Sequence, residues 1–253
     1  MELGSKRLIV NADDLGRTPG INAGIFEAHS RGLVTSATLM VGFAAAVDAA
    51  AQLPRYPDLG VGLHVTLTGA EPLLPADQLP SLVDEAGRFP SKPEGHGVLD
   101  PQEVQAEVEA QLSRFRGLTG RLPTHLDSHH HSHRLPVICD SLIAVASRLN
   151  LPVRDSGPEV GQRLFRAGVR TTDVFIEEFF GPAATLDVLQ RILTSLQIGT
   201  TEVMCHPAVI DELLRQGSSY VHERETELEV LTDLGIKQLV ADEGILLTHF
   251  GSV

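Results

Sequence analysis

The sequence has no tryptophan, only two tyrosines and only two cysteines among its 253 residues. Cys139 and Cys205 are too few for a disulfide framework, and they indicate a reducing compartment. No apolar run approaches the ~20 residues that a membrane-spanning helix needs, and the start MELGSKRLIV is too short and too soon charged for a signal peptide. GxGxxG and P-loop motifs are also missing. We therefore expect a cytoplasmic protein without a membrane span.

The chain also has few positively charged residues. Lys and Arg number 20 against 33 Asp and Glu, which gives a formal net charge of −13. Long-range repulsion therefore disfavours nucleic acid and anionic lipid as partners, and a neutral or cationic small ligand fits better. With 42% hydrophobic and 21% charged residues, the composition is typical of a globular protein and not of a disordered chain.

Short β-branched apolar segments alternate with longer amphipathic segments, which is typical of repeated β–α units. Strands are predicted over 7–13, 34–41, 59–66, 124–129, 153–155, 174–178, 202–205 and 237–240. Helices are predicted over 21–31, 44–53, 101–116, 137–149, 183–196 and 223–234, the third with Asp100 as its N-cap. No linker interrupts this alternation. Residues 1–253 are therefore expected to form a single α/β domain, most simply a (β/α) barrel, with a doubly wound open sheet as the second option.

One connection is longer than an ordinary turn. Residues 69–100 are rich in proline, glycine and charge, and they carry no strong periodicity. Two interpretations stand side by side: a surface excursion, or a lid that covers the barrel mouth.

Histidine is concentrated in one segment. Of the 11 histidines, five lie within residues 125–133, where roughly 0.4 would be expected by chance. His125, Asp127 and His129 alternate, so an extended strand would place all three on one face. For His130, His131 and His133, a solvated polyhistidine loop is an equally good interpretation.

Acids, imidazoles and a guanidinium follow several predicted strands at their carboxyl ends, where (β/α) barrels carry their chemistry. These residues are Asp13, Asp14, His64, His129, Arg154 and His206. The adjacent aspartates would repel each other, and a bound cation would offset that repulsion, although Asp-Asp-Leu-Gly is also typical of a capped turn. His64 could equally be a core histidine.

Nucleophilic chemistry fits these residues poorly. Cys205 and His206 are neighbours in a strand and point to opposite faces, so we expect Cys205 in the core. Ser128 has no G-x-S-x-G context. One carboxylate with two imidazoles around a divalent ion remains, and this pattern suits metal-assisted hydrolysis.

Four motifs, read in order, resemble a known family: Asn11-Ala12-Asp13-Asp14-Leu15-Gly16, Gly62-Leu63-His64, Thr124-His125-Leu126-Asp127-Ser128-His129-His130-His131 and Met204-Cys205-His206-Pro207. The chain resembles the YdjC-like carbohydrate deacetylases, which include chitooligosaccharide deacetylase and the hopanoid-associated deacetylases. The resemblance implies a single-domain distorted (β/α) barrel related to the NodB-type polysaccharide deacetylases. It also implies removal of the N-acetyl group from an amino sugar, with release of acetate.

The resemblance implies a role for each strand-end residue. One divalent metal ion would be held by Asp14, His64 and His129; the ligand types favour zinc, whereas the family favours magnesium. Asp13 would be the general base, His206 the general acid, and Arg154 the residue that orients Asp13.

Alternatives from other classes remain at this point. A barrel metallo-amidohydrolase or phosphoesterase gathers similar residues, but it usually carries His-x-His on its first strand. A metal-storage protein and a sugar-binding protein without catalysis are the non-enzymatic options. The expected partner is an N-acetylated mono- or oligosaccharide, and the resemblance suggests a homodimer.

Overall fold

A sheet of seven parallel strands organises residues 4–253, the part of the chain that the computed structural model describes. The strands are β1 Lys6–Leu15, β2 Ser36–Leu39, β3 Gly60–Val65, β4 Leu126–Ser128, β5 Val174–Ile176, β6 Gly199–Cys205 and β7 Leu246–Leu247. Their hydrogen-bonded order is β4-β3-β2-β1-β6-β5, and β7 pairs with the start of β1. The first three residues of the predicted domain 1–253 lie outside the described range.

Helices follow most of the strands. They are α1 Pro19–Arg31, α2 Ala45–Gln52, α3 Pro101–Thr119, α4 Pro136–Leu149, α5 Pro158–Ala167, α6 Leu186–Ser195, α7 Glu212–Gly217, α8 His222–Leu231 and α9 Leu234–Asp242. Five of those described, α1, α3, α6, α7 and α9, begin at a side-chain N-cap. The predicted start of α3 is confirmed, because the Asp100 side chain accepts a hydrogen bond from the Gln102 N–H at 2.7 Å. Within residues 4–253, no helix has both the length and the apolar character for a membrane crossing.

The sheet is curved, and strand pairing is sparsest between β4 and β5, the two ends of its strand order. There, Val153 makes a single parallel bridge to Leu126. The Val153 N–H also donates to the Arg170 carbonyl at 2.9 Å. The sheet is thus a parallel half-barrel with helices, which confirms the predicted distorted (β/α) barrel fold class.

Two strand predictions need correction. Residues 237–240, predicted as a strand, lie inside α9, and the last strand is β7. Asp233 caps α9 by accepting from the Ile236 N–H, and the helical spacing of the buried Ile236 and Val240 decides in favour of the helix. Residues 153–155 form only the single bridge described above. Helices α5 and α7 were not predicted.

The long connection 69–100 is packed onto the barrel. The carboxylate of Glu107, on α3, accepts hydrogen bonds from the Leu73 and Leu74 N–H groups at 3.0 and 3.1 Å. Leu82 and Phe89 of the connection are buried in the core. A cavity of about 740 Å³ lies between this connection and the segment that follows β2. A function as a lid stays a prediction.

Candidate metal and catalytic site

The end of β1 places two consecutive carboxylates at one rim of the barrel. In a regular strand, neighbouring side chains point to opposite faces. The pairing of β1 with β2 shifts register between Ala12 and Leu15, and Asp14 has a left-handed backbone with φ of 70°. This irregularity turns Asp13 and Asp14 toward the same site, and strained backbone of this kind clusters at functional positions.

Asp14, His64 and His129 converge on one point from three separate segments. One donor atom from each lies within 4.8 Å of the other two. Asp14 Oδ1 is 3.1 Å from His129 Nδ1 and 3.5 Å from His64 Nε2. Within the described chain this buried oxygen nevertheless accepts no hydrogen bond. One carboxylate oxygen and two imidazole nitrogens that converge in a buried site are a donor set that divalent cations such as zinc accept, so the residues fit a metal.

Asp127 holds the His64 ring in the orientation that such a site needs. Its Oδ1 lies 2.7 Å from His64 Nδ1, and its Oδ2 accepts from the Thr38 hydroxyl at 3.0 Å. Burial lowers the pKa of His64, but Asp127 outweighs it and raises the pKa above the ordinary value. A carboxylate on one ring nitrogen leaves the other nitrogen free to ligate, which is the usual support of a metal-bound histidine.

Asp13 is paired with Arg154 by two hydrogen bonds. Arg154 NH1 and NH2 each donate to an Asp13 oxygen at 2.7 Å, and Asn11 Nδ2 donates to Oδ1 at 2.9 Å. Burial alone would raise the pKa of Asp13, but the adjacent Arg154 guanidinium holds it well below its usual range. Asp13 is therefore ionised and held in one orientation at neutral pH.

Arg154 is fully buried and serves three carboxylates at once. Besides Asp13, it contacts Glu202 at 2.7 Å and Asp127 at 3.0 Å. Burial raises the pKa of Glu202 to about 7 despite that contact. Asp13, His64 and Asp127 form a second close set of donors. Arg154 contacts both carboxylates of this second set, whereas Oδ1 of Asp14 has no hydrogen-bond partner in the described chain. The set of Asp14, His64 and His129 therefore stays the predicted metal site.

His206 follows β6 and lies at the same rim. Its backbone N–H donates to Glu227, and within residues 4–253 its buried Nδ1 has no hydrogen-bond partner. Burial lowers the pKa of His206 to about 4, so the ring is neutral at pH 7. Cys205 points away into the core and contacts the Asn11 carbonyl at 3.5 Å, as expected.

Helix α8 supplies two site residues that were not predicted from the sequence. Arg224 donates to Asp14 Oδ2 at 2.5 Å, and Glu227 accepts from the His206 N–H. Their spacing of three places both on one helix face. Each aspartate of β1 thus has its own guanidinium, so repulsion between them does not by itself require a metal. No sequence signal singles them out, because α8 also carries Glu223, Glu225 and Glu229.

The other histidines of residues 125–133 have structural partners. His125 stacks on Phe250 with ring centroids 3.9 Å apart, and His133 Nδ1 lies 2.5 Å from the Ser128 hydroxyl. The His130 ring lies tilted against the His129 ring, with centroids 3.8 Å apart and planes 31° from parallel. The interpretation as a solvated loop is therefore wrong for the fully buried His133. Of the alternating residues His125, Asp127 and His129, His129 lies in the donor set with Asp14, and Asp127 lies in the second set with Asp13.

Fold and site together define a (β/α) barrel protein with a candidate divalent-metal centre at the carboxyl ends of its strands. A family model described as YdjC-like protein matches residues 7–242. The chain belongs to the YdjC-like family.

Curated relatives match almost the whole chain. A carbohydrate deacetylase from Thermoanaerobacter pseudethanolicus is 39% identical over 246 residues, 97% of this chain and 98% of the relative. Another, from Geobacillus stearothermophilus, is 43% identical over 243 residues, 96% of both. A chitooligosaccharide deacetylase from Serratia marcescens is 40% identical over 252 residues, 97% of this chain and 98% of the relative.

Solved structures confirm the predicted fold class. A protein from Enterococcus faecalis V583, for which cellobiose-phosphate cleavage is suggested, has a TM-score of 0.91 and 36% identity over 98% of both chains. A family 4 carbohydrate esterase from Streptomyces lividans has a TM-score of 0.56 and 12% identity over 97% of this chain and 93% of that chain. Because the esterase is only 12% identical, its similarity shows the fold alone. That fold is the NodB-type barrel expected from the sequence.

Proposed function

We propose that this protein is a metal-dependent hydrolase that removes the N-acetyl group from an N-acetylated amino sugar and releases acetate. The observation that carries the proposal is the convergence of Asp14, His64 and His129 beside the ionised Asp13. Relatives at 39–43% identity that are named carbohydrate deacetylases support the substrate class.

Asp13 has the properties of a general base for water. Its carboxylate is ionised at neutral pH because of Arg154, which also fixes the direction in which it can accept a proton. A divalent ion held by Asp14, His64 and His129 would polarise the acetyl carbonyl and make the attacking water more acidic. Arg154 acts through Asp13 and is a positioning residue.

His206 is suited to protonate the departing amide nitrogen. Amines leave poorly without a proton, so a general acid is needed on the side of the nitrogen. His206 is neutral in the free protein, since burial lowers its pKa to about 4. Negative charge that develops on the acetyl oxygen during attack would raise the pKa of His206 and favour its uptake of a proton to replace the one that it gives to the nitrogen; the balancing proton is the one that Asp13 removes from the attacking water.

The proposed substrate is a short N-acetylated saccharide or a related glycoconjugate. The scarcity of aromatic rings, 4% of residues, argues against a long stacking groove. The alternative is a barrel metallo-amidohydrolase or phosphoesterase that acts on another small substrate; the similar solved structure from Enterococcus faecalis carries a suggested role in cellobiose-phosphate cleavage. We further propose a cytoplasmic location, because the chain has few cysteines. The unbroken β–α alternation supports one catalytic domain over 1–253, and the family resemblance supports a homodimer.

The direct test is acetate release from N,N′-diacetylchitobiose by chelator-treated protein, with magnesium, zinc, cobalt or no metal returned. We expect acetate only when metal is present.

His206→Ala should lower kcat by about 10²–10⁴-fold with bound metal unchanged, whereas His129→Ala should lose metal and activity together. Phosphate release from a sugar phosphate without any acetate release would overturn the proposal in favour of the phosphoesterase. Retained metal and activity in His129→Ala would refute the ligand assignment.

A further inference from the structure

An aromatic ring stands exposed beside His206. Phe180 follows β5 and precedes the short 3-10 helix Gly181–Ala183, and 44% of it is exposed. One face of its ring stacks on Tyr220, with centroids 4.4 Å apart and planes 8° from parallel. The Phe180 and His206 rings meet in an edge-to-face arrangement, with centroids 5.3 Å apart and planes at 68°. The exposed ring therefore adjoins the residue to which we assign the general acid.

Tyr220 is fixed from behind, so the pair is rigid before any ligand arrives. Its hydroxyl donates to the buried Glu227 at 2.5 Å and accepts from the Gly181 N–H at 2.8 Å. The Arg224 guanidinium lies over the Tyr220 ring, 5.4 Å from its centroid. A platform held in this way loses little conformational entropy when a ligand binds.

Exposure alone would carry no meaning, because single apolar side chains are common on protein surfaces. Phe165 on α5 is 86% exposed, and in the described chain it has no aromatic partner. Phe180 differs because its ring is stacked and adjoins a site histidine. A stacked, half-exposed ring at a polar site is typical of ligand recognition.

We propose that Phe180, backed by Tyr220, is the platform on which the pyranose ring of the substrate stacks. A pyranose presents C–H groups on one face and hydroxyl groups around its rim, so an aromatic face with polar neighbours complements it. A sugar on this platform lies beside His206, which is the side where an amide nitrogen must receive its proton. The inference rests on the proposed function and names the binding surface for the sugar.

This role predicts a defined kinetic pattern. Stacking on the sugar ring contributes equally to the bound substrate and to the transition state, so its loss raises KM and spares kcat. With metal-loaded enzyme and N,N′-diacetylchitobiose, Phe180→Ala and Phe180→Leu should each raise KM about tenfold. Phe180→Tyr keeps the ring and should stay within about twofold of the wild-type KM. Phe165→Ala, away from the site, is the matched control and should leave both constants unchanged.

The outcomes separate the platform from the proposed function. Absence of acetate release by the wild type would contradict the function itself. Normal turnover by the wild type together with an unchanged KM in Phe180→Ala would overturn the platform. A wild-type KM in Phe180→Leu would do the same, because leucine supplies apolar bulk without an aromatic face.

Tyrosine fluorescence gives a readout that does not depend on turnover. The chain has no tryptophan and two tyrosines, Tyr56 and Tyr220. In Tyr56→Phe, emission comes from Tyr220 alone and should change on titration with fully deacetylated chitobiose, which cannot turn over. Tyr220→Phe leaves only Tyr56, which stacks on Phe26, and its emission should stay constant. A Tyr220 emission that does not respond to saturating sugar would overturn the platform.

Discussion

Arg154 shows how a single residue sets the charge state of the site. It is a fully buried cation that contacts Asp13, Asp127 and Glu202. Without it, three buried carboxylates would lose the cation that they share. A buried charge that loses its partner is far more costly than an exposed one, since water cannot screen it.

We therefore expect Arg154→Met to lower the free energy of unfolding by about 3–5 kcal/mol. Urea denaturation with chelator present measures the change. Arg163→Met is the matched control, because Arg163 pairs with Asp140 at the exposed surface. That change should stay within about 1 kcal/mol. Equal losses in the two variants would contradict the assigned role of Arg154.

Glu227 makes stability depend on pH. Burial raises its pKa to about 8 from an ordinary 4.5. The groups that face it are Tyr220, the His206 N–H, Arg224 and Asp13. Because the folded-state pKa is raised, the contribution of Glu227 is complete below pH 4.5 and is lost as pH rises through 8. His206 has the opposite effect on stability. Its pKa is lowered to about 4, so its contribution to stability is present above pH 6.5 and is lost as the pH falls from 6.5 toward 4.

Between pH 6.5 and 8, the wild type should therefore lose stability relative to Glu227→Gln, at about 1.4 kcal/mol per pH unit. Glutamine keeps an acceptor for the His206 N–H and cannot ionise. Urea midpoints at half-unit steps of pH, in chelator, give the difference. Parallel pH profiles would show that Glu227 does not titrate in this window.

At the scale of elements, close contact between α1 and the segment after β6 keeps His206 in place. A Cβ on Gly24 would lie 2.3 Å from the Ala208 Cα, and one on Gly20 would lie 2.1 Å from the Val209 carbonyl oxygen. Both obstacles are backbone atoms, which cannot rotate away. The absence of side chains at these two positions is what allows the helix to approach.

Gly24→Ala should therefore destabilise the protein by about 1–3 kcal/mol and lower the rate of acetate release, because the displaced segment carries His206. Gly117→Ala on α3 is the control, since nothing lies within 4 Å of its added methyl group. There the same change should stabilise the protein by up to about 1 kcal/mol. Thermal unfolding and one activity assay cover both variants. A stabilised Gly24→Ala would contradict the close contact.

At the scale of the whole molecule, the proposed metal donors come from distant parts of the chain. Asp14 belongs to β1, His64 to β3, and His129 follows β4. They lie together only when the barrel has formed. A ligand that binds the folded state alone stabilises it by mass action.

A divalent ion should therefore raise the melting temperature of chelator-treated protein by about 5–10 °C at roughly 100 times its dissociation constant. His129→Ala should show no rise, whereas His222→Ala, at the exposed start of α8, should respond like the wild type. Differential scanning calorimetry measures the shift for zinc, magnesium and cobalt in turn. A rise of the same size in His129→Ala would place the ion elsewhere.

Several features could be predicted from short stretches of the chain. The N-cap of α3 depends on Asp100 and Pro101 alone, and it was predicted correctly. The prediction of a strand at 237–240 was wrong, because a pattern of four residues fits the strand period and the helix period equally well. Only the packing of Ile236 and Val240 selects the helix. Likewise, Arg224 and Glu227 resemble surface charges until the fold buries them.

The sequence by itself determined the alternation of strands and helices, and with it the rim at which Asp13, Asp14, His64 and His206 could meet. Periodicity and motif order are local properties, so they survive without a structure. The tertiary structure decided which carboxylate faces which guanidinium. Arg154 reaches Asp13 across 141 positions, and Arg224 reaches Asp14 across 210. Such pairs depend on the curvature of the whole barrel, which no segment of the chain specifies alone.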